Sequence, residues 1–260
     1  MNVYVLVKRV PDTESKIRID HEKNAIIEEG LNFILGPYDE YGVEEALRIK
    51  EAHGGKVTVI SVGTDETKVI LKKCLAMGAD EAVLIKDESP ETYDGFRTAK
   101  ILEAAFKNKF TDYDLLLFGK QSVGADNMQI PAMVAELLDL PQVSVITKLE
   151  IQDREGIAHR EIEGAVEKVK FTLPAVLSAQ KGLNEPRYET LKGIMMAKRK
   201  EIPVVNLQDL GIDETRLSPQ VELVKLDSPP ERKAGKVVEG EPEETAKKLV
   251  EFLQKEAKVI

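Results

Sequence analysis

The chain has 260 residues, enough to bury a full hydrophobic core without the support of disulfides or a structural metal. Its formal net charge of -9 at pH 7 and pI near 5.1 argue against nucleic acid as the main partner, because neutralising phosphates requires a clustered basic face. The single cysteine, Cys74, allows neither an intramolecular disulfide nor a multi-thiolate metal site, which points to a reducing compartment or to indifference to redox state.

No apolar run approaches the roughly 20 residues that a membrane-spanning helix requires. The N-terminal residues enter a strand pattern directly, without the apolar core of a signal peptide. We therefore expect a soluble intracellular protein.

The first half of the chain contains four short apolar runs, at residues 2–7, 56–62, 82–85 and 114–118, that are typical of strands buried on both faces. Segments with the apolar spacing of helices separate these runs. Strands that alternate with helices predict right-handed βαβ crossovers and an α/β fold with a doubly wound, mostly parallel sheet. Ligands of such sheets bind beyond the carboxyl ends of the strands, so we expect functional residues in segments 8–13, 61–64 and 119–129.

The second half of the chain begins with an antiparallel extension. Residues 145–151, 157–163 and 167–173 predict antiparallel strands, and residues 174–179 predict a further buried strand. A connector rich in proline and charge then leads to an amphipathic helix that starts at Pro242. We expect residues 1–226 to form an α/β domain and residues 227–260 to form a C-terminal arm of connector and helix.

Residues 119–129 lie between a predicted strand and a predicted helix. Glycine permits a close approach of backbone to ligand, and free amides at a helix start attract anions such as phosphate. The alternative is an ordinary turn that is capped by Asp126 or Asn127. The spacing alone favours the ordinary turn, because it matches neither a Walker loop nor a strict GxGxxG pattern. Gly36 to Asp39 likewise predict a turn, with Asp39 as the N-cap of the first long helix.

Residues 180–200, which we call the docking loop, form a polar segment that delivers one apolar side chain, Leu191, at the start of a short basic helix. A single exposed leucine needs no explanation. However, Pro186 and its neighbours stiffen the loop, and a basic rim follows at Lys192, Lys198, Arg199 and Lys200. An apolar anchor ringed by steering charges is typical of a small transient protein interface. The residues assigned to partner docking are Asn184, Glu185, Pro186, Arg187, Tyr188, Leu191 and Lys192.

Three segments carry a resemblance to a known family. They are VKRVPD at residues 7–12, FGKQS at residues 118–122 and AQKGLNEPRYETLKGIMMAK at residues 179–198. In this order they resemble the beta subunit of electron transfer flavoproteins, and the resemblance covers essentially the whole chain. It implies a fold similar to that of the adenine-nucleotide alpha-hydrolases and a heterodimer with an alpha subunit that holds most of the FAD.

The resemblance also implies an adenine-nucleotide site in this subunit, commonly filled by AMP. The positions that match this site or adjoin it are Leu6, Lys8, Gly36, Pro37, Tyr38, Asp39, Val62, Gly119, Gln121, Ser122, Asp126, Asn127, Met128, Gln129 and Ile130. The family usually carries asparagine at position 36, and members that bind AMP often carry asparagine at position 128 and threonine at position 130. This chain has Gly36, Met128 and Ile130 at these positions. Other members bind a second FAD in place of AMP and split electron pairs from NADH, and these departures keep that alternative open.

The function that the resemblance implies is electron transfer rather than stand-alone catalysis. The complex accepts electrons from dehydrogenases such as an acyl-CoA dehydrogenase and passes them toward a quinone oxidoreductase or another acceptor. Leu191 is the peg that enters the dehydrogenase, and the C-terminal arm contacts the alpha subunit. We expect the complex in the cytoplasm of a prokaryote, with the mitochondrial matrix as the alternative location.

A competing hypothesis keeps the fold without redox function, as an adenine-nucleotide-binding regulatory module similar to the universal stress proteins. The docking loop, the antiparallel strands and the long arm argue against it. No catalytic residue or metal ligand is predicted, because His21, His53 and His159 lack metal-ligand spacing and no Ser/His/Asp or Cys/His arrangement is present.

Overall fold

A computed structural model describes residues 1–89, 94–212, 217–218, 220–230 and 235–260. The chain divides into two compact units, Met1–Leu226 and Asp227–Ile260. Within the described ranges, no helix is both long enough and apolar enough to cross a membrane.

The strands in the described part of the chain are mostly short. They are β1 (Asn2–Leu6), β2 (Arg9–Pro11), β3 (Ile19–Asp20), β4 (Ala25–Ile26), β5 (Phe33–Leu35), β6 (Lys56–Gly63), β7 (Glu81–Lys86), β8 (Leu115–Gly119), β9 (Gln142–Gln152), β10 (Glu155–Ile162), β11 (Ala165–Thr172), β12 (Ala175–Ala179) and β13 (Val204–Asn206). The α-helices are α1 (Pro37–His53), α2 (Lys68–Met77), α3 (Gly95–Asn108), α4 (Ile130–Leu138), α5 (Leu191–Arg199) and α6 (Pro242–Glu251).

The main sheet has the order β11-β10-β9-β12-β8-β1-β6-β7-β13 among the described residues. In this order, adjacent strands are parallel from β9 across to β13. At the other edge, β10 pairs antiparallel with both β9 and β11. The prediction of a mostly parallel sheet with an antiparallel extension is therefore confirmed. Strand β13 and the two small sheets, β2 with β5 and β3 with β4, were not predicted.

The strand β1 shows how the sheet holds two layers of helices. Side chains alternate between the faces of a strand. Val3 and Val5 pack in a core with α1 and α2, whereas Tyr4 and Leu6 pack in a second core with α3 and α4. The protein therefore has helices on both faces of the sheet, as the buried apolar runs predict.

The strand order reverses between β1 and β8. After β1 the chain forms β6 and β7 on one side of it and then crosses to form β8 on the other side. In space, β12 and β9 lie beyond β8. β1 and β8 are parallel, with Leu6 opposite Phe118, so their carboxyl ends lie at the same edge of the sheet. The segments that follow the two strands diverge from this edge. Such a switch point leaves a crevice that is the usual ligand site of doubly wound sheets.

The start of α1 differs from the sequence prediction. Gly36 is the N-cap, Pro37 occupies the first turn, and no side chain caps the helix, so the prediction that Asp39 is the N-cap is wrong. The Asp39 carboxylate instead accepts hydrogen bonds from the backbone N–H groups of Lys8 and Gly119. These amides lie just after β1 and at the end of β8, and they draw the carboxylate away from its own helix.

In the second unit, α6 begins at Pro242, as the sequence predicts, and continues into a π-helical turn at Phe252–Ala257. Lys236 pairs with Glu256, and its ammonium group lies 4.5 Å from the centre of the Phe252 ring. Leu249 and Val250 of α6 are exposed.

Candidate functional site

A cleft of about 690 Å³, counted to its open mouth, lies beyond the carboxyl ends of β1, β6 and β8. Most of the predicted nucleotide-binding residues line it: Leu6, Lys8, Asp39, Val62, Gly119, Gln121, Ser122, Asn127, Met128, Gln129 and Ile130. Gly36, Pro37, Tyr38 and Asp126 lie outside this lining.

The inner wall of the cleft is apolar. Leu6, Ile60 and Phe118 contribute from the sheet, and Leu102 contributes from α3. All four are buried in the core that the sheet shares with α3 and α4. A flat, uncharged ring fits such a wall because burying apolar surface is favourable.

The other side of the cleft is the start of α4. Gln129 is the N-cap but makes no side-chain capping bond, and Pro131 occupies the first turn. The first amides of a helix have no partner within the helix and carry a partial positive charge. This end of the cleft therefore suits an anion.

The segment before α4 has an unusual backbone. Asp126 and Met128 have φ values of 49° and 51°. These values lie in the left-handed region that residues other than glycine rarely adopt. Gln121 holds this turn by donating a hydrogen bond of 2.6 Å from Nε2 to Asp126 Oδ1. Asp126 thus shapes the turn. Non-glycine residues with such backbones cluster at ligand sites.

Asp39 is a buried ionisable side chain in the cleft, with 6% of its surface exposed. Its carboxylate accepts 2.8 Å and 3.1 Å hydrogen bonds from the amides of Lys8 and Gly119. Burial raises the pKa of Asp39 to about 7, although both hydrogen bonds and the Lys8 charge oppose the rise. The carboxylate ties the segment after β1 to the end of β8 and so fixes the width of the crevice.

Two lysines flank the mouth of the cleft. Lys8 has an exposed side chain, yet desolvation of its ammonium group lowers its pKa, against the opposing effect of Asp39. The Lys120 ammonium group lies 4.7 Å from the centre of the Tyr38 ring, a cation–π distance. The two cations add to the attraction for an anionic ligand.

Gly119 is required by close packing at the end of β8. A Cβ atom at this position would overlap the Asp39 carboxylate and would lie 2.7 Å from both the Asp39 amide nitrogen and the Tyr38 carbonyl carbon. Only glycine lets the first turn of α1 approach β8 this closely.

Several residues that line the cleft were not predicted from the sequence: Val7, Ile60, Thr98, Leu102, Phe118, Lys120 and Pro131. Ile60 and Phe118 sit inside strand patterns, and Lys120 stands in a quoted motif without an assigned role. Thr98 and Leu102 lie on α3, whose apolar spacing shows only that one face is buried. Only the packing of α3 beside the switch point brings these two residues to the site.

A second candidate site is the exposed face around α5, which we call the docking surface. Tyr188 and Leu191 are 94% and 83% exposed, and Met195 and Met196 are 62% and 54% exposed. Lys192 and Arg199 border the two methionines around a shallow depression. Scattered apolar residues are common on surfaces, but a contiguous group with a basic border marks an interaction site.

The helix α5 is fixed to α2 behind this surface. Gly193 packs so closely on the Ala76 carbonyl oxygen that a Cβ atom would overlap it. Lys72 of α2 donates a 2.8 Å hydrogen bond to the Ala197 carbonyl and also bonds the Lys200 carbonyl at the helix end. A cation at a helix C-terminus is stabilising. The outward face of α5 is thus held by contacts on its inward face.

Two predicted docking residues and one residue of the predicted basic rim turn toward the body of the protein. Asn184 is 9% exposed and donates to the Tyr41 carbonyl and to Glu45. Arg187 pairs with Glu44 and Glu51. Lys200 of the predicted rim donates a 2.7 Å hydrogen bond to the Asp80 carbonyl. Glu185, Tyr188, Leu191 and Lys192 are exposed, and Pro186 is half-buried.

Among the described residues, no group of three or more His, Cys, Asp or Glu side chains is arranged to hold a metal ion. Cys74 is buried in the core, and burial raises the pKa of its thiol.

Comparison with known proteins gives consistent matches. Residues 23–210 match the family model of the electron transfer flavoprotein domain. Electron transfer flavoprotein subunit beta of Bacillus subtilis is 44% identical over 261 residues, which cover 100% of both chains. Subunit beta of Thermoanaerobacterium thermosaccharolyticum is 40% identical over 97% of this chain and 98% of its own. The caffeyl-CoA reductase-Etf complex subunit CarD of Acetobacterium woodii is 35% identical over 92% of both chains.

Proposed function

This chain belongs to the electron transfer flavoprotein family, with full-length similarity to its beta subunits, and we propose that it carries electrons as one half of a heterodimer with an alpha subunit. The alpha subunit holds most of the FAD, which supplies the redox chemistry. The beta subunit binds an adenine nucleotide, AMP, in the cleft and recognises the dehydrogenase that donates electrons. The complex passes the electrons toward a quinone oxidoreductase or another acceptor.

The observation that carries the nucleotide assignment is the two-sided cleft at the switch point. Its apolar wall of Leu6, Ile60 and Phe118 suits the adenine ring. Its opposite side, at the start of α4, offers unpaired amides to a phosphate. Ile130 and Met128 contribute no polar side chain there, so the phosphate is held by backbone N–H groups together with Ser122 and Asn127.

The docking surface supports the assignment of the donor. Leu191 is an exposed apolar side chain at the start of a firmly held helix, and Lys192 and Arg199 of the same helix border the exposed Met195 and Met196. This arrangement fits a partner that has an apolar pocket with an acidic border. An acyl-CoA dehydrogenase is the class of donor that we propose.

A second candidate function is flavin-based electron bifurcation with a second FAD in the cleft and NADH as the donor. Two observations favour it. Gly36 lacks the polar side chain usual in the family, and Met128 and Ile130 lack the polar side chains common in AMP-binding members. In addition, a relative is a subunit of a caffeyl-CoA reductase-Etf complex. Under this alternative the cleft holds flavin instead of AMP.

We further propose that the complex is cytoplasmic in a prokaryote, in keeping with its bacterial relatives. The C-terminal unit, with its exposed Leu249 and Val250, is proposed to contact the alpha subunit. Exposed apolar residues on an amphipathic helix are typical of a surface that a partner covers.

The test is to purify the native complex that contains this chain, release its nucleotides by denaturation and quantify FAD and AMP by chromatography. One FAD and one AMP per complex support the electron shuttle, whereas two FAD without AMP support bifurcation. A complex without flavin or without an alpha subunit would refute both functions.

A variant locates the nucleotide within the complex. Thr98 lines the α3 side of the cleft, so Thr98→Phe fills the cleft and should remove the AMP, or the second FAD, while one FAD remains. Thr172, exposed on the edge strand β11, offers the control Thr172→Phe, which should leave both nucleotides in place.

A further inference from the structure

The docking loop is fastened to α1 by two inward-turned side chains. Asn184 and Arg187 lie in the irregular part of the loop, between β12 and α5. Their partners are three acidic residues on one side of α1, Glu44, Glu45 and Glu51. We call these five residues the loop clamp.

The inner half of the clamp is Asn184 with Glu45. The Asn184 amide nitrogen donates to Glu45 Oε2 over 2.8 Å and to the Tyr41 carbonyl over 3.0 Å. Both residues are buried, with 9% and 8% of their surface exposed. Burial raises the pKa of Glu45, and the Asn184 hydrogen bond opposes the rise. Two buried polar groups that bond each other fix one geometry, since any other leaves them unpaired.

The outer half of the clamp is Arg187 with Glu44 and Glu51. The Arg187 guanidinium donates to both Glu44 oxygens, over 2.7 Å and 3.1 Å, and to Glu51 Oε1 over 2.6 Å. Its backbone N–H also donates to Glu44, over 3.1 Å. Arg48 holds Glu44 from the helix side over 2.9 Å. A two-pronged arginine–carboxylate pair fixes direction as well as distance.

The burial and pKa shifts of Glu44 and Glu51 agree with their pairing to Arg187. Glu44 is 3% exposed, and burial raises its pKa, but the hydrogen bonds from Arg187 and Arg48 outweigh that effect and lower the pKa overall. Glu51 is largely exposed, and its hydrogen bond from Arg187 lowers its pKa. Both carboxylates are therefore charged at neutral pH and bind the guanidinium from two sides.

The clamp stands directly beside the docking surface. Arg187 precedes Tyr188, and Leu191, the first residue of α5, follows shortly after them in the chain. Tyr188 and Leu191 are themselves highly exposed and have few neighbours to hold them. Their positions therefore depend on the fixed ends of the segment, which are α5 on one side and the clamp on the other.

We propose that Asn184 and Arg187 are positioning residues that hold the docking loop in its binding conformation through Glu44, Glu45 and Glu51. This inference rests on the proposed function, and it replaces direct partner contact as the role of Asn184 and Arg187. A loop that is ordered before binding loses less conformational freedom on association. The clamp thus acts on the affinity for the dehydrogenase and leaves the electron-transfer step within the bound complex unchanged.

The test uses the assembled heterodimer in a graded series of variants. Arg187→Met removes the pair with both carboxylates, Arg187→Lys keeps the charge without the two-pronged geometry, and Glu51→Gln removes only the outer contact. Arg154→Met is the matched control, because Arg154 pairs with Asp114 on the surface near the turn between β9 and β10. If Arg187→Met fails to assemble, Arg187→Lys carries the test.

The first readout is amide hydrogen exchange of residues 181–199, which needs no electron donor. Arg187→Met should speed exchange in this segment about tenfold, with a smaller effect for Arg187→Lys and the smallest for Glu51→Gln. Arg154→Met should leave exchange in the segment at the wild-type rate. Unchanged exchange in Arg187→Met would overturn the proposal.

The second readout is reduction of the complex by the acyl-CoA dehydrogenase that reduces the wild-type complex fastest. Arg187→Met should raise KM about tenfold and change kcat less than about twofold. A raised KM in Leu191→Ala together with an unchanged KM in Arg187→Met would overturn the positioning role and leave the proposed function intact. If neither variant changes KM or kcat, the proposed donor recognition fails together with the inference.

Discussion

The buried carboxylate of Asp39 accepts a hydrogen bond from the backbone N–H of Gly119, so the first turn of α1 is joined to the end of β8 across the point where the strand order reverses. The two residues depend on each other, because a side chain at position 119 would occupy the space of the carboxylate. This contact sets the shape of the cleft that we assign to the nucleotide.

Gly119→Ala is expected to destabilise the protein by about 1–3 kcal/mol, the usual cost of forcing extra atoms into a packed site. The shift of α1 away from β8 should also lower the nucleotide content of the purified complex. Thermal melting and chromatography of the released nucleotide measure the two effects. Gly235→Ala is the control, because a Cβ atom there meets no neighbour within 4 Å. Wild-type melting in Gly119→Ala would contradict the packing described here.

The raised pKa of Asp39 predicts how the free energy of unfolding changes with pH. Its pKa rises from the ordinary 3.8 to about 7 in the folded protein, so the folded state holds the proton more tightly than the unfolded state. The contribution of this group therefore becomes less favourable as the pH rises from about 4 to about 7, by at most about 1.4 kcal/mol per pH unit.

Asp39→Asn removes that titration, so the melting temperature of the variant should rise relative to that of the wild-type complex as the pH increases from about 4 to about 7. Asp65→Asn is the contrasting variant. Hydrogen bonds from Lys68 and Lys86 lower the pKa of Asp65 to about 2, so its removal alters the pH dependence only below about pH 4. Identical profiles for the wild-type complex and Asp39→Asn would show that Asp39 does not titrate in this range.

Leu191→Ala tests the docking surface directly. Truncation of an apolar anchor typically costs 2 kcal/mol or more of binding free energy, so kcat/KM with the dehydrogenase should fall about 30-fold. Flavin content and heterodimer assembly should stay at wild-type levels. Val69, which is exposed on α2, gives the control Val69→Ala. Loss of flavin in Leu191→Ala would refute the assignment of this residue as a peg.

Arg97 and Asp87 form an ion pair between α3 and the end of β7, with each side chain 10% exposed and a separation of 2.8 Å. Arg97→Met leaves the Asp87 charge in a buried position and should destabilise the protein by about 3 kcal/mol or more. Lys107→Met breaks the exposed pair with Glu103 and should cost about 1 kcal/mol or less. Thermal melting of both variants distinguishes the two cases.

The sequence predicted the sheet well because its buried strands are continuous apolar runs, as in β8, or are dominated by apolar and β-branched residues, as in β6. Strand β13 and the strands of the two small sheets escaped prediction, because strands of two or three residues are too short to show a period. Their existence depends on neighbours that the chain supplies elsewhere, such as β7 beside β13.

The candidate cleft was predictable where it follows a strand, as at Lys8 and Gly119, because the carboxyl ends of parallel strands share one edge. The α3 wall with Thr98 and the inward turn of Asn184 were not predictable. Both depend on contacts between distant parts of the chain, and a lone threonine or asparagine carries no signal of its partner.

The loop clamp has a consequence for engineering. Arg187 and Glu44 lie 143 residues apart in the chain, so the recognition element is not a contiguous peptide. A chimera that receives only residues 180–200 from a relative inherits the peg without its support, unless the host already has matching carboxylates on α1. Donor preference should therefore be transplanted as a composite of loop and helix positions, and comparisons that align the loop alone will misjudge which partners two family members share.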